Sequence, residues 1–425
     1  MNYPNILLIS LDELVPSRLG CYGNKRKTSP NIDVIASEGT MFLNCISHAT
    51  YTSPSHMSIM TSQLPSTHGL MLDKNYPITD VRLAKVLKGL GYSTVGFTGG
   101  GFITGSLGFS DGFNLYDEYK KLGGKDAPVI TERTLKWLLE NHKKKQPFFL
   151  FFHIYTIHWP YNDRYYLSEL SENSSEIDRQ KAAYDGGVRN ADIHLEKIFS
   201  FLRKEGLIDN TIIVILSDHG TVLSRPEYYF ANNGNCLYDE IIKVPLIIRY
   251  PKVIPANVRI ERQSRLIDVF PTLLELIDPS LLIRDEINKL HLMGRSLVPL
   301  ACGKPDLHNR DAISETLYWG PERKSIRTET GMKLILTPNP DDVRITEFPD
   351  KARVDTPRYE LYNINDDPEE KKDLSSDMPD IVKMLEQKLE PVLIKEKETL
   401  AKLRFQIIPN ISRKIKKQLR SLGYI

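Results

Sequence analysis

The sequence has few cysteines and no long apolar segment. Its 425 residues include 4 cysteines, Cys21, Cys45, Cys236 and Cys302, which lack the paired spacing of zinc or redox sites and are predicted to be buried thiols. No segment approaches the roughly 18 consecutive apolar residues of a membrane-spanning helix. The opening "MNYPNILLISLDEL" has a short apolar run and no basic leader, which predicts a buried strand rather than a signal peptide. We therefore expect a cytoplasmic protein without a membrane span.

The chain also lacks an excess of either charge. It has 56 basic and 54 acidic residues, a formal net charge of +2, so the composition gives no reason to expect a nucleic-acid partner. Hydrophobic residues make up 41% and charged residues 26%, which is typical of a soluble globular protein. The length predicts a large α/β core with a smaller appended unit.

Residues 1–310 alternate apolar runs with amphipathic segments. The strand-like runs "NILLISL", "STVGFTG", "PFFLFFHIY", "NTIIVILSDHG" and "VPLIIRY" are apolar almost throughout, as strands covered on both faces are. Helical spacing lies between them, for example in "DVRLAKVLKGLG" and "NADIHLEKIFSFLRKEG". This alternation predicts an α/β domain over 1–310, with a large, mostly parallel sheet between layers of helices.

The pattern changes beyond residue 310. "DAISETL", "KSIRTETGMKLILTP" and "RYELYNI" alternate like half-buried antiparallel strands, and "PDIVKMLEQKLEPVL" has helical spacing. We predict a small C-terminal α+β subdomain over 311–400. The basic tail, 401–425, has apolar residues at helical spacing and is interpreted as a helix that docks on the body. Binding of this tail to a membrane surface or to nucleic acid is the alternative.

Three predicted strands end in residues that can bind a metal ion. Asp12 and Glu13 follow the first strand, Asp218 and His219 follow "NTIIVILS", and His158 follows "PFFLFFHIYTI". The carboxyl ends of parallel strands meet at one edge of a sheet, where ligands bind. Carboxylate and imidazole together suit a divalent cation. A single polar residue here could simply cap a strand, but three strands that end this way favour a site.

The stretch "ATYTSPSHMSIMTS" places two hydroxyls at a predicted helix start. Thr52 and Ser53 precede Pro54, which suits the first helical position because its φ is fixed and its missing N–H is not needed there. Either hydroxyl can cap the helix. Either can also be a nucleophile, since a helix N-terminus favours an anion and a metal-bound hydroxyl ionises more easily than a free one.

Together these segments resemble the sulfatase branch of the alkaline phosphatase superfamily. The resemblance runs in order along most of the chain, through "PNILLISLDELVPSRLGCYG", "YTSPSHMSIMTSQLPSTHGL", "IHWPY", "DNTIIVILSDHG", "LYDEIIKVPLIIRYP" and "RYELYNINDDPEEKKDL". It implies an alkaline-phosphatase-like α/β sandwich, followed by a small C-terminal subdomain with a four-stranded antiparallel sheet. It also implies a metal-dependent enzyme.

The resemblance implies roles for particular residues. The nucleophile motif, laid on "TSPSH", selects Thr52 over Ser53. The implied metal ligands, which include this nucleophile and Glu13 where many members have a second Asp, are Asp12, Glu13, Thr52, Asp218 and His219.

Further residues are implied to contact the substrate. His158 matches a histidine that acts as an acid or clamps the transferred group, and it is the second catalytic residue that we predict. His56 stands where the family has Arg, while Asn75 and Asn233 fall at substrate-pocket positions. These three are predicted to bind the substrate.

Departures from the family pattern shape the expected chemistry. Sulfatases make a formylglycine aldehyde from Cys or Ser, and threonine cannot give it, so Thr52 argues against a formylglycine cofactor. The lysine and histidine that sulfatases carry in the strand after this helix are absent from "GFTGGGFITG", whose glycines are interpreted as a tight turn. A threonine nucleophile is what phosphotransferase and phosphodiesterase relatives use.

The sequence therefore predicts a metal-dependent hydrolase of sulfuric, phosphoric or phosphonic esters, with one divalent ion of Ca, Mn, Mg or Zn. The expected substrate is a small-molecule or saccharide ester. Two alternatives stay open: a transferase that passes a phospho-group to an alcohol acceptor, and a non-catalytic protein that keeps the fold. A homo-oligomer is compatible with all three.

Overall fold

The structure is a computed structural model that describes residues 3–71, 76–119, 126–223, 236–316, 321–340 and 357–403. These ranges contain one large, mostly parallel sheet and one small antiparallel sheet. None of the helices in the same ranges combines the length and the apolar composition that crossing a bilayer requires.

Nine strands of the described ranges form the large sheet. In chain order they are β1 Asn5–Leu11, β2 Thr40–Ile46, β3 Ser93–Thr98, β4 Leu115–Glu118, β5 Phe148–Ile154, β6 Thr211–Leu216, β7 Lys243–Arg249, β8 Val258–Ile260 and β9 Ser264–Arg265. Their spatial order is β4-β3-β5-β1-β6-β7-β2-β8, with β9 paired to β2.

Strand β1 lies at the centre of this sheet, parallel to both β5 and β6. Leu11 is in register with Ile154 of β5, and Ser10 is in register with Leu216 of β6. The three strands therefore end at the same level, and the residues that follow them meet at one edge of the sheet.

Most helices of the described ranges pack around the large sheet, and the last one packs on the small sheet. They are α1 Pro30–Ser37, α2 Thr52–Thr61, α3 Pro65–His68, α4 Leu83–Gly89, α5 Ala127–Asn141, α6 Glu176–Lys204, α7 Asp239–Ile242, α8 Val269–Ile277, α9 Asp285–Asn288, α10 Val298–Ala301 and α11 Pro379–Leu403. Ile6 and Leu8 of β1 belong to a core shared with α2, α4 and α8. Leu7 and Ile9 face a second core with α1, α5 and α6. Because successive side chains point to opposite faces, a strand buried on both sides is apolar without alternation.

The small sheet contains β10 Ala312–Thr316, β11 Arg323–Arg327, β12 Met332–Leu336 and β13 Tyr359–Asn363, antiparallel in that order. Helix α11 packs on one face of it, where Leu385 and Leu389 join Ile326, Leu334 and Leu361 in one apolar cluster. The predicted fold, an alkaline-phosphatase-like α/β sandwich with a C-terminal antiparallel sheet, is confirmed.

Several local expectations are corrected. Pro54 is the third residue of α2 and not the first, a position where its missing N–H still has no intrahelical partner to lose. Helix α6 begins well before the predicted amphipathic segment, because Ser175 and Asp178 form a capping box at its N-terminus. Strand β7 pairs antiparallel with β6 and β2.

Two further expectations are met in part. The cysteines are free thiols, and Cys45 and Cys236 are buried, but Cys21 and Cys302 are partly exposed. Helix α11 continues to residue 403, into the start of the predicted tail helix. Residues 404–425 of that tail lie outside the described residues.

Candidate active site

Three neighbouring strands bring most of the predicted site residues together. Asp12 follows β1, Asp218 and His219 follow β6, and His158 lies in the turn after β5. His219 Nε2 is 3.4 Å from Asp218 Oδ2 and 4.0 Å from Asp12 Oδ1. His158 Nε2 is 3.9 Å from Asp12 Oδ1. The sheet edge thus concentrates carboxylates and imidazoles around Asp12.

Asp12, Asp218 and His219 form a group whose ligand atoms all lie within 4.8 Å of one another. All three side chains are fully buried. Asp12 Oδ1 and Asp218 Oδ2 have no hydrogen-bond partner among the described protein atoms. Since buried polar atoms almost always find a partner, these two oxygens fit a bound cation.

The negative charges of Asp12 and Asp218 also favour a bound cation. Burial raises the pKa of Asp12 well above its usual range, and the negative charges of Asp218 and Glu13 raise it further. A bound divalent cation would lower this pKa again, because its positive charge stabilises the ionised carboxylate. His219 Nδ1 lies 2.9 Å from the carbonyl oxygen of Gly220, which can only accept, so Nδ1 carries the proton and Nε2 turns its lone pair toward the group. Two carboxylates and one imidazole so arranged fit a divalent metal ion.

Thr52 lies beside this group at the start of α2. Its hydroxyl donates to Asp12 Oδ2 at 3.2 Å and lies 3.4 Å from His219 Nε2. Ser53 instead donates to the carbonyl oxygen of Phe102, at 2.8 Å. The structure therefore separates the two hydroxyls that the pattern left as alternatives. Thr52 faces the acidic group at the positive end of the helix, and Ser53 fastens α2 to a neighbouring turn.

His56 belongs to the second turn of α2, and the contacts described for its buried side chain are with the protein. Its Nδ1 is 2.9 Å from the Thr52 carbonyl oxygen and 3.4 Å from Asp218 Oδ2, and its Nε2 is 2.8 Å from Ser10 Oγ. Burial lowers the pKa of His56, so the neutral ring is favoured. These contacts favour a role in holding the Thr52 backbone, in place of the substrate contact that the family's Arg implies.

Glu13 and His158 form a second pair at the edge of the group. His158 Nε2 is 3.4 Å from Glu13 Oε1, and the Trp159 N–H donates to Glu13 Oε2 at 3.2 Å. Glu13 also has a positive φ of 61°, which is uncommon for a residue other than glycine. Glu13 is not a member of the close metal-type group, and its predicted role as a ligand stays a prediction.

Two residues of the site, His153 and Tyr155, were not predicted from the sequence motifs. His153, within β5, places Nε2 3.2 Å from Asp12 Oδ2, and Tyr155 follows that strand with its side chain buried. A histidine inside the otherwise apolar run "PFFLFFHIY" is the signal that could have found His153. Asn75 and Asn233, predicted to bind the substrate, lie outside the described residues.

His68, at the end of α3, contacts helix α2 through its buried ring. The Leu70 N–H donates to His68 Nδ1 at 3.1 Å, so Nδ1 must be unprotonated, while Nε2 lies 3.2 Å from the Pro54 carbonyl oxygen and 3.1 Å from Ser58 Oγ. Burial lowers the pKa of His68 to about 3. Both observations require the neutral ring in the folded protein.

Acidification is therefore expected to destabilise the fold through His68. The unfolded chain, with an ordinary pKa near 6.5, binds a proton that the folded ring does not, so this stability is full above pH 6.5 and falls as the pH drops toward 3. The loss from His68 is about 2 kcal/mol at pH 5. Urea unfolding of wild type and His68→Gln at pH 7.5 and pH 5 measures it. Equal pH dependence in the two proteins would contradict the expectation.

With this geometry established, comparisons with known proteins identify the class. The sulfatase family matches residues 4–279, more than half of the chain, and the C-terminal family of N-sulphoglucosamine sulphohydrolase matches residues 229–395. The chain therefore belongs to the sulfatase family, and the resemblance drawn from its motifs is confirmed.

Individual relatives are distant but extend over most of the chain. An ulvan-active sulfatase of Formosa agariphila is 24% identical over 420 residues, covering 91% of this chain and 78% of its own length. An N-acetylglucosamine-6-O-sulfatase of Bacteroides thetaiotaomicron is 22% identical, with 86% and 82% covered. A solved structure of a protein with its substrate D-glucosamine-2-N,6-O-disulfate shares the fold, with a TM-score of 0.74, 21% identity, and 93% and 98% covered.

Proposed function

We propose that the protein is a metal-dependent hydrolase of sulfuric esters, or of related phosphorus esters, with Thr52 as its nucleophile. The observation that carries the proposal is the position of the Thr52 hydroxyl, which donates to Asp12 inside the buried group of Asp12, Asp218 and His219. Membership of the sulfatase family supports ester hydrolysis, and the named relatives support sulfated saccharides as the substrate class.

Asp12, Asp218 and His219 would hold the ion beside Thr52. A bound divalent ion stabilises negative charge on the hydroxyl oxygen and on the transferred group. The chain supplies the rest of the oxyanion environment, because the first N–H groups of α2 and the positive end of its dipole lie beside Thr52. His56 keeps this first turn in place through the Thr52 carbonyl oxygen.

The proposed reaction has two halves. In the first, Thr52 Oγ1 forms a bond to the sulfur or phosphorus atom while the bond from that atom to the leaving alcohol oxygen breaks. The Thr52 proton passes along its hydrogen bond to Asp12 Oδ2, and His158 gives a proton to the leaving oxygen. In the second, water attacks the sulfur or phosphorus of the threonine ester and gives a proton to His158. Asp12 returns its proton to Thr52 Oγ1 as the ester bond breaks, which releases the inorganic anion and restores the Thr52 hydroxyl.

Phosphorus esters are the second candidate because of the threonine itself. A formylglycine sulfatase releases sulfate by elimination from its aldehyde hydrate, a route that a threonine ester does not have. A phosphorylated threonine needs only attack by water at phosphorus. The phosphonate monoester hydrolase of Agrobacterium radiobacter shares the fold, with a TM-score of 0.73 and 17% identity, and at that identity the likeness bears on the fold alone.

Metal binding is expected to stabilise the protein. An ion bound only by the folded state adds about 2.7 kcal/mol when its concentration is 100-fold above the Kd, and the melting temperature rises accordingly. Asp218→Asn should abolish most of the rise because it removes the charge of one of the two carboxylates that have an oxygen without a hydrogen-bond partner. Asp192→Asn is the matched control, since Asp192 is equally buried but binds the N–H groups of Asn31 and Ile32. Differential scanning fluorimetry with Ca, Mn, Mg and Zn measures all three proteins.

A panel of substrates tests the reaction. Wild-type protein is assayed with each ion against an aryl sulfate, a phosphate monoester, a phosphodiester and a phosphonate monoester. We expect turnover of at least one ester that stops when the ion is chelated. No turnover with any ion, together with an unchanged melting temperature, would refute the proposed function.

A further inference from the structure

Tyr155 is buried against the site and has a defined hydrogen-bonding geometry. It follows β5 and is 4% exposed. The Phe102 N–H donates to the phenol oxygen at 3.2 Å, which leaves the phenol's own proton for another acceptor. The ring packs on His153, whose Nε2 lies 3.2 Å from Asp12 Oδ2, the same oxygen to which the Thr52 hydroxyl donates. Tyr155 thus lies where the proposed nucleophile acts.

The glycine turn after β3 is shaped around this ring. A Cβ on Gly99 would lie 2.7 Å from Tyr155 Cδ2, and a Cβ on Gly101 would lie 2.9 Å from the phenol oxygen. Gly101 also has a φ of +67°, which side chains rarely adopt. The glycines of "GFTGGGFITG" therefore make room for Tyr155 and bring the Phe102 N–H to it.

Three further contacts hold the phenol in place. The Tyr155 backbone N–H donates to Asp126 Oδ2 at 2.6 Å. The ring packs edge to face on His153 and His158, with centroid distances of 4.6 Å and 5.4 Å. The Ser53 hydroxyl donates to the Phe102 carbonyl oxygen, so the turn that holds the phenol is also hydrogen-bonded to α2.

We propose that Tyr155 is a further catalytic residue of this site, a neutral hydrogen-bond donor to the Thr52 oxygen and, when substrate is bound, to an oxygen of the transferred group. The turn after β3 has no cationic side chain that could bind an anion. Tyr155, directly after β5, supplies a side-chain hydrogen-bond donor in its place. A fixed donor aimed at an oxygen that gains charge stabilises the transition state more than the ground state. The assignment rests on the proposed function in that the oxyanion binds beside Thr52.

Binding of inorganic anions tests the assignment without turnover. Titration calorimetry compares sulfate and phosphate binding to Mn-loaded wild type, Tyr155→Phe and Tyr92→Phe. Tyr92 is the matched control because it is 1% exposed and its hydroxyl donates to the Pro4 carbonyl oxygen at 2.9 Å, at the opposite end of β3. We expect at least about tenfold weaker anion binding for Tyr155→Phe and no change beyond about twofold for Tyr92→Phe.

Gly101→Ala is a second variant that keeps the phenol but displaces it, and we expect it to weaken anion binding in the same direction. Unchanged affinity in both Tyr155→Phe and Gly101→Ala would overturn the proposal, as would wild type that binds neither anion. An equal loss in Tyr92→Phe would overturn it too, because the effect would then be general. If the anions bind as expected but no ester is turned over, the proposed function fails, and of the Tyr155 assignment only the hydrogen bond to the bound anion stands.

Discussion

Thr52→Ala is expected to lower kcat by at least about a thousandfold on whichever ester the wild-type enzyme hydrolyses best. The substitution removes the atom that would form the covalent ester, and in the described structure that atom is the one that donates to Asp12 Oδ2. It leaves the Asp12, Asp218 and His219 group in place, so the rise in melting temperature with metal ions should persist. Steady-state kinetics with the preferred ion, and fluorimetry on the same preparation, measure both effects.

Two companion variants show whether the hydroxyl itself is responsible. Thr52→Ser keeps a hydroxyl at the same position and should retain most of the activity. Thr61→Ala is the matched control, because Thr61 is equally buried at the other end of α2 and donates only to the Met57 carbonyl oxygen. Thr52→Ala activity within about tenfold of wild type would rule out the threonine nucleophile. A loss of equal size in Thr61→Ala would point to damage of the helix.

The residues at the carboxyl edge of the sheet could be predicted from the sequence, because the patterns that mark a buried strand and its end are local. Strands buried on both faces have unbroken apolar runs, and the residue after each run lies at the carboxyl edge whatever the remaining topology. Asp12, Asp218 and His219 were found in this way, and the structure brings them together. Their functional roles, the domain boundaries, the cytoplasmic location and the oligomeric state stay predictions.

Other features depend on contacts that no local pattern encodes. The His56 side chain contacts Ser10, 46 positions earlier, and Asp218, so these contacts could not be derived from "TSPSH" alone. Tyr155 meets the glycine turn only because β3 and β5 are neighbours in the sheet. The sequence indicates a tight turn at "GFTGGGFITG", but it does not show the reason for the glycines, which is the Tyr155 ring that packs against them.

Lys324→Met is expected to lower the free energy of unfolding by about 3–5 kcal/mol, the largest loss of stability that we predict. Lys324 Nζ, fully buried in β11, lies 2.8 Å from Glu315 Oε2, 2.9 Å from Glu396 Oε1 and 3.2 Å from Glu322 Oε1. Glu396 belongs to α11, and Glu315 also accepts from the backbone N–H and the hydroxyl of Ser66 in α3. The lysine therefore joins the small sheet, its helix and the main domain, and its loss leaves three buried carboxylates without their shared cation.

The pH dependence of this loss identifies its cause. Burial raises the pKa of Glu396 to about 8 even beside Lys324, and without the lysine the pKa is expected to rise further. An acid whose folded pKa exceeds its unfolded value binds more protons when folded, so its penalty grows as the pH rises above about 4.5. Wild type carries the same penalty up to a pH of about 8, so the extra loss that Glu396 causes in Lys324→Met grows only above that pH. Urea unfolding at pH 7 and pH 9 should therefore show a larger loss for Lys324→Met at pH 9. Lys388→Met, whose half-exposed lysine pairs with Asp311 at 2.8 Å, is the control and should lose less than about 1 kcal/mol at either pH. A loss for Lys324→Met as small as that of the control, or one that does not change with pH, would show that the buried cluster does not hold the two units together.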